Sequence, residues 1–290
     1  MSKAVTPGLV VVDKPGGMTS HDVVSRVRRL AGTRKVGHAG TLDPMATGVL
    51  VLGVDRATRL LGHLMLTEKA YDATIRLGEA TTTDDAEGEV VATADVAAVA
   101  ELTEESVRAA LEAFVGDIEQ VPTAVSAIKV DGKRAYARVR DGEQVELKAR
   151  PVTIHDLTVH EVVLPDVHIS VRCSSGTYIR AIARDAGQAL GVGGHLTALR
   201  RTAVGAFDLA VARSLDVLAE GFAVLPIAEA ARATFSCVDL DEADAADVRL
   251  GRKLSVEIPG LTALFDPSGE FLALYEPQGD RARAVAVFVG

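Results

Sequence analysis

Between two apolar runs, residues Lys35 to Gly48 read KVGHAGTLDPMATG. The stretch contains three glycines together with His38, Asp43 and Pro44. Glycine lets the backbone turn tightly or approach a ligand closely, and the residue before a proline is restricted to an extended conformation. A short carboxylate is therefore presented from a stiffened loop, and catalytic groups are often carried on such loops.

The chain on both sides of this loop predicts a mixture of strands and helices. Apolar or alternating runs predict strands at residues 9–12, 49–54, 70–77 and 167–173. Capping residues and helical spacing predict helices from Ser20 to Gly32, over 55–65 and from Thr177 to 190. Asp131-Gly132 predicts a hairpin. These elements indicate an α+β fold with a mixed, mainly antiparallel sheet.

The composition of the chain changes near residue 230. An alanine-rich helix is followed by an acidic helix and three short predicted strands. We expect a large domain over 1–230 and a small β-rich domain over 231–290.

The composition is that of an ordinary globular protein, with 48% hydrophobic and 24% charged residues. The two cysteines, Cys173 and Cys237, are far apart, which argues against a disulfide framework. The first apolar run is too short for a signal peptide, and no stretch approaches the ~20 apolar residues of a membrane helix. We therefore expect a cytoplasmic protein that does not contact a membrane.

The net charge of −9 is unfavourable for a nucleic-acid ligand unless the charges are segregated. Acidic residues concentrate at 79–119 and 239–247. Basic residues concentrate in three other segments, at 26–35, 129–150 and 180–201. Segregated cations can attract phosphates locally.

Several familiar chemistries lack their residues in this chain. The zinc-deaminase signature, the phosphate-binding P-loop, the Gly-x-Ser-x-Gly nucleophile turn and metal-ligand spacings are all missing from the sequence. We therefore expect neither a metal nor an organic cofactor. A lone ionised carboxylate such as that of Asp43 suits covalent catalysis of the glycosyl-transfer kind.

The loop resembles the catalytic motif of the TruB family, the tRNA pseudouridine-55 synthases. Four further segments resemble motifs of that family and occur in the family's order: Val12–Asp22, Lys69–Ala73, Gly176–Arg180 and His195–Thr202. The resemblance covers roughly residues 8–210. It implies the pseudouridine synthase catalytic fold, followed by a small PUA-like domain that is unusually short and acidic here.

The resemblance also implies roles for individual residues. Asp43 matches the catalytic aspartate, which adds covalently either to the uracil ring or to ribose C1′, a choice that the sequence leaves open. Arg180 matches the arginine that pairs with this aspartate, and Tyr71 the tyrosine that stacks on the target base and serves in proton transfer. Leu199 matches an apolar wall beneath the base, and His38 a histidine that supports the flipped-out nucleotide.

Four more residues are assigned to substrate binding on the same resemblance. Lys14 is expected to support the catalytic loop, and Gly40 and Thr41 belong to that loop. Tyr178 precedes the matching arginine.

The resemblance implies that the partner is tRNA, bound through its T-arm stem-loop and acted on at position 55. Residues 121–150 resemble the family's thumb, and their seven cations suit phosphate contacts. The affinity for RNA is therefore expected to fall steeply as salt is raised, which a binding titration at several salt concentrations would check. No protein partner is implied, and we expect a monomer.

Three other interpretations stay open at this level. The chain could act on a different RNA, either ribosomal or guide-directed. It could be a non-catalytic protein that binds or folds tRNA, with Asp43 in a structural role. A glycoside hydrolase built on Asp43 is the third, although no partner acid is evident in the sequence.

Overall fold

The computed structural model describes residues 5–123, 129–130, 133–134 and 147–289. Most of the predicted thumb, 121–150, lies outside these residues. Its predicted hairpin is confirmed by two short paired strands, although the Asp131-Gly132 turn between them is outside the described residues. In the part of the chain that is described, no helix is long and apolar enough to cross a membrane.

Strands and helices are interspersed along the described residues. The strands are β1 Gly8–Lys14, β2 Val36–His38, β3 Thr47–Val54, β4 Lys69–Leu77, β5 Glu79–Thr81, β6 Val90–Thr93, β7 Gly116–Gln120, β8 Lys129–Val130, β9 Lys133–Arg134, β10 Arg150–Val163, β11 Asp166–Cys173, β12 Gly194–Val204, β13 Phe207–Asp208, β14 Leu225–Pro226, β15 Ser236–Asp239, β16 Thr262–Phe265, β17 Phe271–Gln278 and β18 Arg281–Val287. The helices are α1 Ser20–Ala31, α2 Leu61–Leu64, α3 Val96–Ala100, α4 Glu104–Glu112, α5 Ile179–Ala189, α6 Leu215–Glu220, α7 Ile227–Thr234 and α8 Glu242–Arg249.

A ten-stranded sheet forms the centre of the molecule, in the order β14-β1-β3-β12-β4-β11-β10-β7, with β2 paired to β3 and β13 to β12. Every neighbouring pair is antiparallel except β3 and β12, which are parallel. The expected mixed, mainly antiparallel sheet is confirmed. The parallel pair brings the end of the Asp43 loop beside strand β12, about 150 residues later in the chain.

Strand β4 shows why the sheet has two different faces. Tyr71, Ala73 and Ile75 point into the core, whereas Asp72 and Thr74 alternate toward solvent. Helix α5 covers the apolar face with its buried side, and its residues join the same core cluster as those of β4 and β11. The opposite face in this region is polar, so the site described below lies on the helix-covered side.

Helix α1 begins one residue earlier than predicted. Its N-cap is Thr19, whose hydroxyl accepts from the backbone N–H of Asp22 while the Asp22 carboxylate accepts from Thr19. The prediction of Ser20 as the cap is wrong because the Ser20 side chain is buried and bonds instead to Leu42, in the loop that carries Asp43. The helix ends at Gly32, in the left-handed conformation, as predicted.

The single helix predicted over 55–65 is wrong in type. Residues Asp55–Leu60 form a 3-10 helix, and only Leu61–Leu64 are α-helical. Tertiary contacts hold this segment, since Arg56 donates to the carbonyl of Phe288 and Arg59 donates to that of Val287. Local periodicity carries no information about these contacts.

The C-terminal part forms a separate four-stranded sheet, β15-β16-β17-β18. This confirms the expected small β-rich domain. Its phenylalanines Phe265, Phe271 and Phe288 pack in the same apolar cluster as Leu9 of β1, so the two sheets share buried surface. The predicted boundary at 230 falls within α7 and stays a prediction.

Candidate active site

The loop that carries Asp43 connects β2 to β3 and is anchored at both ends. At its start, the N–H of Ala39 donates to the carbonyl of Val51, and near its end the N–H of Ala46 donates to the carbonyl of Asp43. Gly48 has a φ of +98°. A Cβ atom at this position would come within 2.2 Å of the Arg201 carbonyl oxygen, so glycine is required for β3 to approach β12.

Two buried polar side chains brace this loop from the direction of β1 and α1. The Ser20 hydroxyl donates to the carbonyl of Leu42 at 3.0 Å and accepts from its N–H at 2.8 Å. Lys14 is 1% exposed and donates from Nζ to the carbonyls of Pro44, Pro15 and Met18. Burial lowers the pKa of Lys14 to about 8, while the nearby charge of Asp43 opposes that shift.

Replacement of Ser20 by alanine is expected to destabilise the protein by about 1–3 kcal/mol, because it leaves the N–H and C=O of Leu42 without their buried partner. Chemical denaturation measures this directly. Ser25→Ala is the matched control, since the Ser25 hydroxyl bonds within α1 at an exposed position and its loss should change stability by less than ~0.5 kcal/mol. Equal losses for the two variants would contradict the bracing role of Ser20.

Asp43 and Arg180 form a two-point ion pair. Nε of Arg180 lies 3.0 Å from one carboxylate oxygen of Asp43, and Nη2 lies 3.3 Å from the other. The Arg180 side chain is 5% exposed, whereas that of Asp43 is 32% exposed. The planar guanidinium therefore aims a carboxylate that a substrate can still reach.

A second carboxylate holds the other side of Arg180. Nη1 of Arg180 lies 3.3 Å from Asp85 and donates to the carbonyl of Thr83 at 2.8 Å. Asp85 is itself buried and accepts from the Thr83 hydroxyl and the N–H of Glu87. The guanidinium of Arg180 is thus held between the carboxylates of Asp43 and Asp85.

Burial and three charged neighbours act on the pKa of Asp43. Burial raises its pKa above the ordinary value, and Asp85 adds to that increase as a like charge. Arg180 opposes both, through its charge and its hydrogen bond, and Arg201 opposes them to a smaller extent. The pKa of Asp43 therefore lies above the usual range, and its charged form depends on Arg180.

Asp85→Asn is expected to move the acid limb of the activity profile to lower pH. The reason is that removing the like charge lowers the pKa of Asp43, so its carboxylate stays ionised in more acidic solution. Single-turnover rates measured between pH 4 and 8 give the apparent pKa. Asp156→Asn, an exposed change on β10, is the control and should leave that pKa in place. An acid limb that moves to higher pH in Asp85→Asn would contradict the account.

Tyr71 and Leu199 pack beside the catalytic loop. Both side chains are nearly buried and belong to one core cluster with Leu42, the neighbour of Asp43, and Ile179, the neighbour of Arg180. Burial raises the pKa of the Tyr71 phenol, while Arg201 opposes the shift by its charge and by a hydrogen bond.

Tyr178 occupies the N-cap position of α5, immediately before Ile179 and Arg180. The predicted cap at Thr177 is wrong, because the Thr177 hydroxyl donates to the carbonyl of Ser174 within the preceding turn. The side chain of Gln120 accepts from the N–H of Tyr178 and donates to its carbonyl. A buried amide thus fixes the backbone from which α5 and Arg180 begin.

The remaining predicted residues lie on the loop itself. His38 ends β2 and is partly exposed. Gly40, with a φ of +103°, and the exposed Thr41 each offer a carbonyl oxygen to Arg201. The structure therefore brings Asp43, Arg180, Tyr71 and Leu199 together by direct contact or shared packing, and connects Lys14, Gly40 and Thr41 through the loop.

Sequence reasoning missed four residues that hold this site: Ser20 as a brace, Asp85, Gln120 and Arg201. Asp85 belongs to the acidic segment 79–119, and nothing in the sequence separates it from the other acidic residues there. Gln120 and Ser20 carry no catalytic signature either. These roles become visible only in the folded structure, where segments that are distant in the sequence come into contact.

The site thus holds a partly exposed carboxylate, paired with a buried arginine, near a buried tyrosine. Comparisons with known proteins give the family of the chain. Residues 28–179 match the N-terminal domain of the TruB family of pseudouridylate synthases. Residues 180–230 match the tRNA pseudouridylate synthase B C-terminal domain, and 235–289 match the C-terminal model of tRNA pseudouridine synthase II. The chain belongs to the TruB family of pseudouridylate synthases.

Individual relatives extend the similarity over the whole chain. The tRNA pseudouridine synthase B of Arthrobacter sp. (strain FB24) is 57% identical over 97% of this chain and 96% of its own length. That of Nocardia farcinica is 58% identical over 97% and 92%. Among solved structures, a Cbf5-Nop10-Gar1 complex matches with a TM-score of 0.75 at 25% identity, covering 98% of this chain and 86% of the other. An H/ACA RNP bound to substrate RNA matches with a TM-score of 0.74 at 24% identity, covering 98% and 85%, and supports the fold.

Proposed function

We propose that this enzyme isomerises the uridine at position 55 of tRNA to pseudouridine, by a covalent intermediate on Asp43 and with the target base turned out of the T-loop. The observation that carries the proposal is Asp43, on the loop between β2 and β3, held by Arg180 of α5, which Asp85 holds on its other side. The substrate assignment is supported by relatives named tRNA pseudouridine synthase B, which match this chain nearly end to end.

Asp43 is proposed to act as the nucleophile. Its carboxylate either adds to the uracil ring or displaces uracil from ribose C1′, and both routes remain open. On either route the bond between N1 and C1′ breaks, the base rotates, and C5 forms a new bond to C1′. The bond to Asp43 is released, the proton on C5 is lost, and N1 takes up a proton from water. Because the product is an isomer of the substrate, no co-reactant is consumed.

Arg180 is proposed to keep Asp43 ionised and correctly directed throughout these steps. Water is displaced when a base enters the pocket, which strengthens the tendency of a carboxylate to take up a proton. A guanidinium held by Asp85 and Thr83 opposes that tendency without having to move.

Tyr71 is proposed to stack on the uracil and to serve in the transfer of its C5 proton, with Leu199 as the apolar wall. Turning a base out of an RNA loop costs a few kcal/mol, and stacking on an aromatic ring offsets about 1–3 kcal/mol of that cost. His38, Gly40, Thr41, Tyr178 and Lys14 are proposed to support the bound nucleotide or the loop. A monomeric state and a cytoplasmic location stay predictions.

A guide-directed synthase is the second candidate, because Cbf5-containing complexes share the fold. The observation against it is the degree of similarity: 57% identity to a tRNA pseudouridine synthase B, compared with 25% to the chain of a Cbf5-Nop10-Gar1 complex. We therefore favour the tRNA substrate.

The proposal is tested with RNA stem-loops that carry tritium at uracil C5. The purified chain is incubated with an unmodified tRNA T-arm stem-loop or with a ribosomal RNA stem-loop of equal length. Tritium released to water from the T-arm alone is the expected result. Release only from the ribosomal fragment would move the assignment to another RNA, and binding of the T-arm without release would favour a binding or folding protein.

A further inference from the structure

A buried arginine lies directly beneath the catalytic loop. Arg201 is 1% exposed and stands on β12, opposite Tyr71 of β4 in the antiparallel register. It donates from Nη1 to the carbonyl of Thr41 at 3.2 Å and from Nη2 to that of Gly40 at 3.3 Å. The two carbonyls belong to the loop that presents Asp43, so this side chain contacts the loop close to its catalytic residue.

The same guanidinium also reaches β3, where Nε donates to the carbonyl of Val49 at 2.7 Å. Because Arg201 and Tyr71 are directly opposed on neighbouring strands, their side chains lie on the same face of the sheet. In addition, the backbone of Arg201 is paired in parallel register with Gly48, where a Cβ atom would collide with it. Arg201 therefore joins β3 to the loop beside Tyr71, with its own backbone fixed in the sheet.

The surroundings of the Arg201 guanidinium are unusual for a buried positive charge. A buried guanidinium is ordinarily neutralised by a carboxylate, as Arg180 is by Asp43 and Asp85. Within residues 5–123 and 147–289, no Asp or Glu forms an ion pair with Arg201 at 4.0 Å or less. Its charge instead acts on Tyr71 and Asp43, where it opposes the rise in pKa that burial causes at both groups.

We propose that Arg201 is a positioning residue for the isomerisation. It fixes the Tyr71 hydroxyl and the loop of Asp43 in one geometry, and its charge stabilises negative charge on the tyrosine oxygen during proton transfer. This inference rests on the proposed function for its catalytic meaning, but its electrostatic part is measurable on the free protein.

The direct readout uses 3,5-difluorotyrosine placed at position 71, because its phenol is more acidic than that of tyrosine and ¹⁹F NMR reports this residue alone. The titration is recorded in the parent protein, in Arg201→Gln and in Arg201→Lys. Glutamine keeps hydrogen-bond donors without charge, and lysine keeps the charge without the planar fork. Arg172→Gln is the matched control, since Arg172 is 54% exposed and pairs with Glu68.

We expect the fluorinated phenol to titrate at higher pH in Arg201→Gln and close to the parent pH in Arg201→Lys and Arg172→Gln. With native Tyr71, single-turnover isomerisation should fall at least ~100-fold in Arg201→Gln and at least ~10-fold in Arg201→Lys, with RNA affinity within about threefold. Arg172→Gln should keep its rate within about threefold.

An unshifted titration in a folded Arg201→Gln variant, or an unchanged single-turnover rate, would overturn the inference. If thermal melting shows that Arg201→Gln does not fold, the rate of Arg201→Lys decides the matter, and a rate equal to that of the parent overturns it. A shifted titration in a protein that is inactive on the T-arm would instead retain the placement of Arg201 and contradict the proposed function.

Discussion

Asp43→Asn should abolish tritium release from a T-arm stem-loop, with a loss of at least ~10⁴-fold, while RNA binding stays within about threefold of the parent. Asparagine has nearly the same shape as aspartate, but its amide is not a nucleophile that can form the covalent intermediate. The measurement is single-turnover release at saturating protein, together with a binding titration of the same RNA.

The fold of this variant should survive, because Arg180 keeps Asp85 and the Thr83 carbonyl as partners after the change. Asp72→Asn is the matched control: Asp72 is on β4, exposed on the face opposite Tyr71, and bonded to Ser170. The control should release tritium at the parent rate. Residual release by Asp43→Asn within about tenfold of the parent would assign the covalent step to another group.

Arg180→Met should lower both stability and activity, because it leaves two carboxylates without their shared counter-ion. Breaking a buried ion pair by removing one partner costs about 3–5 kcal/mol. The pKa of Asp43, already raised by burial, rises further when the arginine that opposes the shift is removed. A larger fraction of Asp43 is then protonated at neutral pH, and we expect turnover to fall at least ~10³-fold.

The pH dependence of the stability of Arg180→Met provides a second test. A carboxylate whose pKa is higher in the folded than in the unfolded protein makes stability fall as pH rises. The stability lost in Arg180→Met should thus be larger at pH 8 than at pH 5, as measured by chemical denaturation. Arg172→Met, which removes an exposed arginine paired with Glu68, should cost less than ~1 kcal/mol at both pH values. A loss that grows toward pH 5 would contradict the account.

The catalytic loop was predictable from sequence because its composition is unusual over a short distance. Three glycines and an Asp-Pro between apolar runs indicate a stiffened, exposed loop without reference to the rest of the chain. The strands that flank it follow from their apolar and alternating patterns, and β1, β3, β4 and β11 are confirmed.

The partners of Asp43 were not predictable in the same way. Arg180 and Tyr71 were singled out by family resemblance, since neither residue carries a local signal for catalysis. Asp85 comes close to Arg180 only because the turn after β5 packs against the N-terminal half of α5. Arg201 comes beneath the loop through the parallel pairing of β3 with β12. Such contacts depend on topology, which local pattern does not specify.

The errors at helix starts have a similar origin. Ser20 and Thr177 are both good capping residues by type, but each side chain bonds elsewhere: Ser20 to Leu42, and Thr177 to Ser174. At Ser20, the deviation from the local rule coincides with support of the catalytic loop. This agrees with the general observation that local rules fail most often near functional sites.

Isomerisation of uridine 55 through Asp43 is tested most directly by mapping the product on a full-length transcript. An unmodified tRNA transcript is incubated with the purified chain, treated with carbodiimide to tag pseudouridine, and copied by reverse transcriptase. The account predicts one new stop, at the T-loop uridine 55, that is present with the parent protein and absent with Asp43→Asn. A stop at another uridine, or no stop although the tRNA binds, would contradict it.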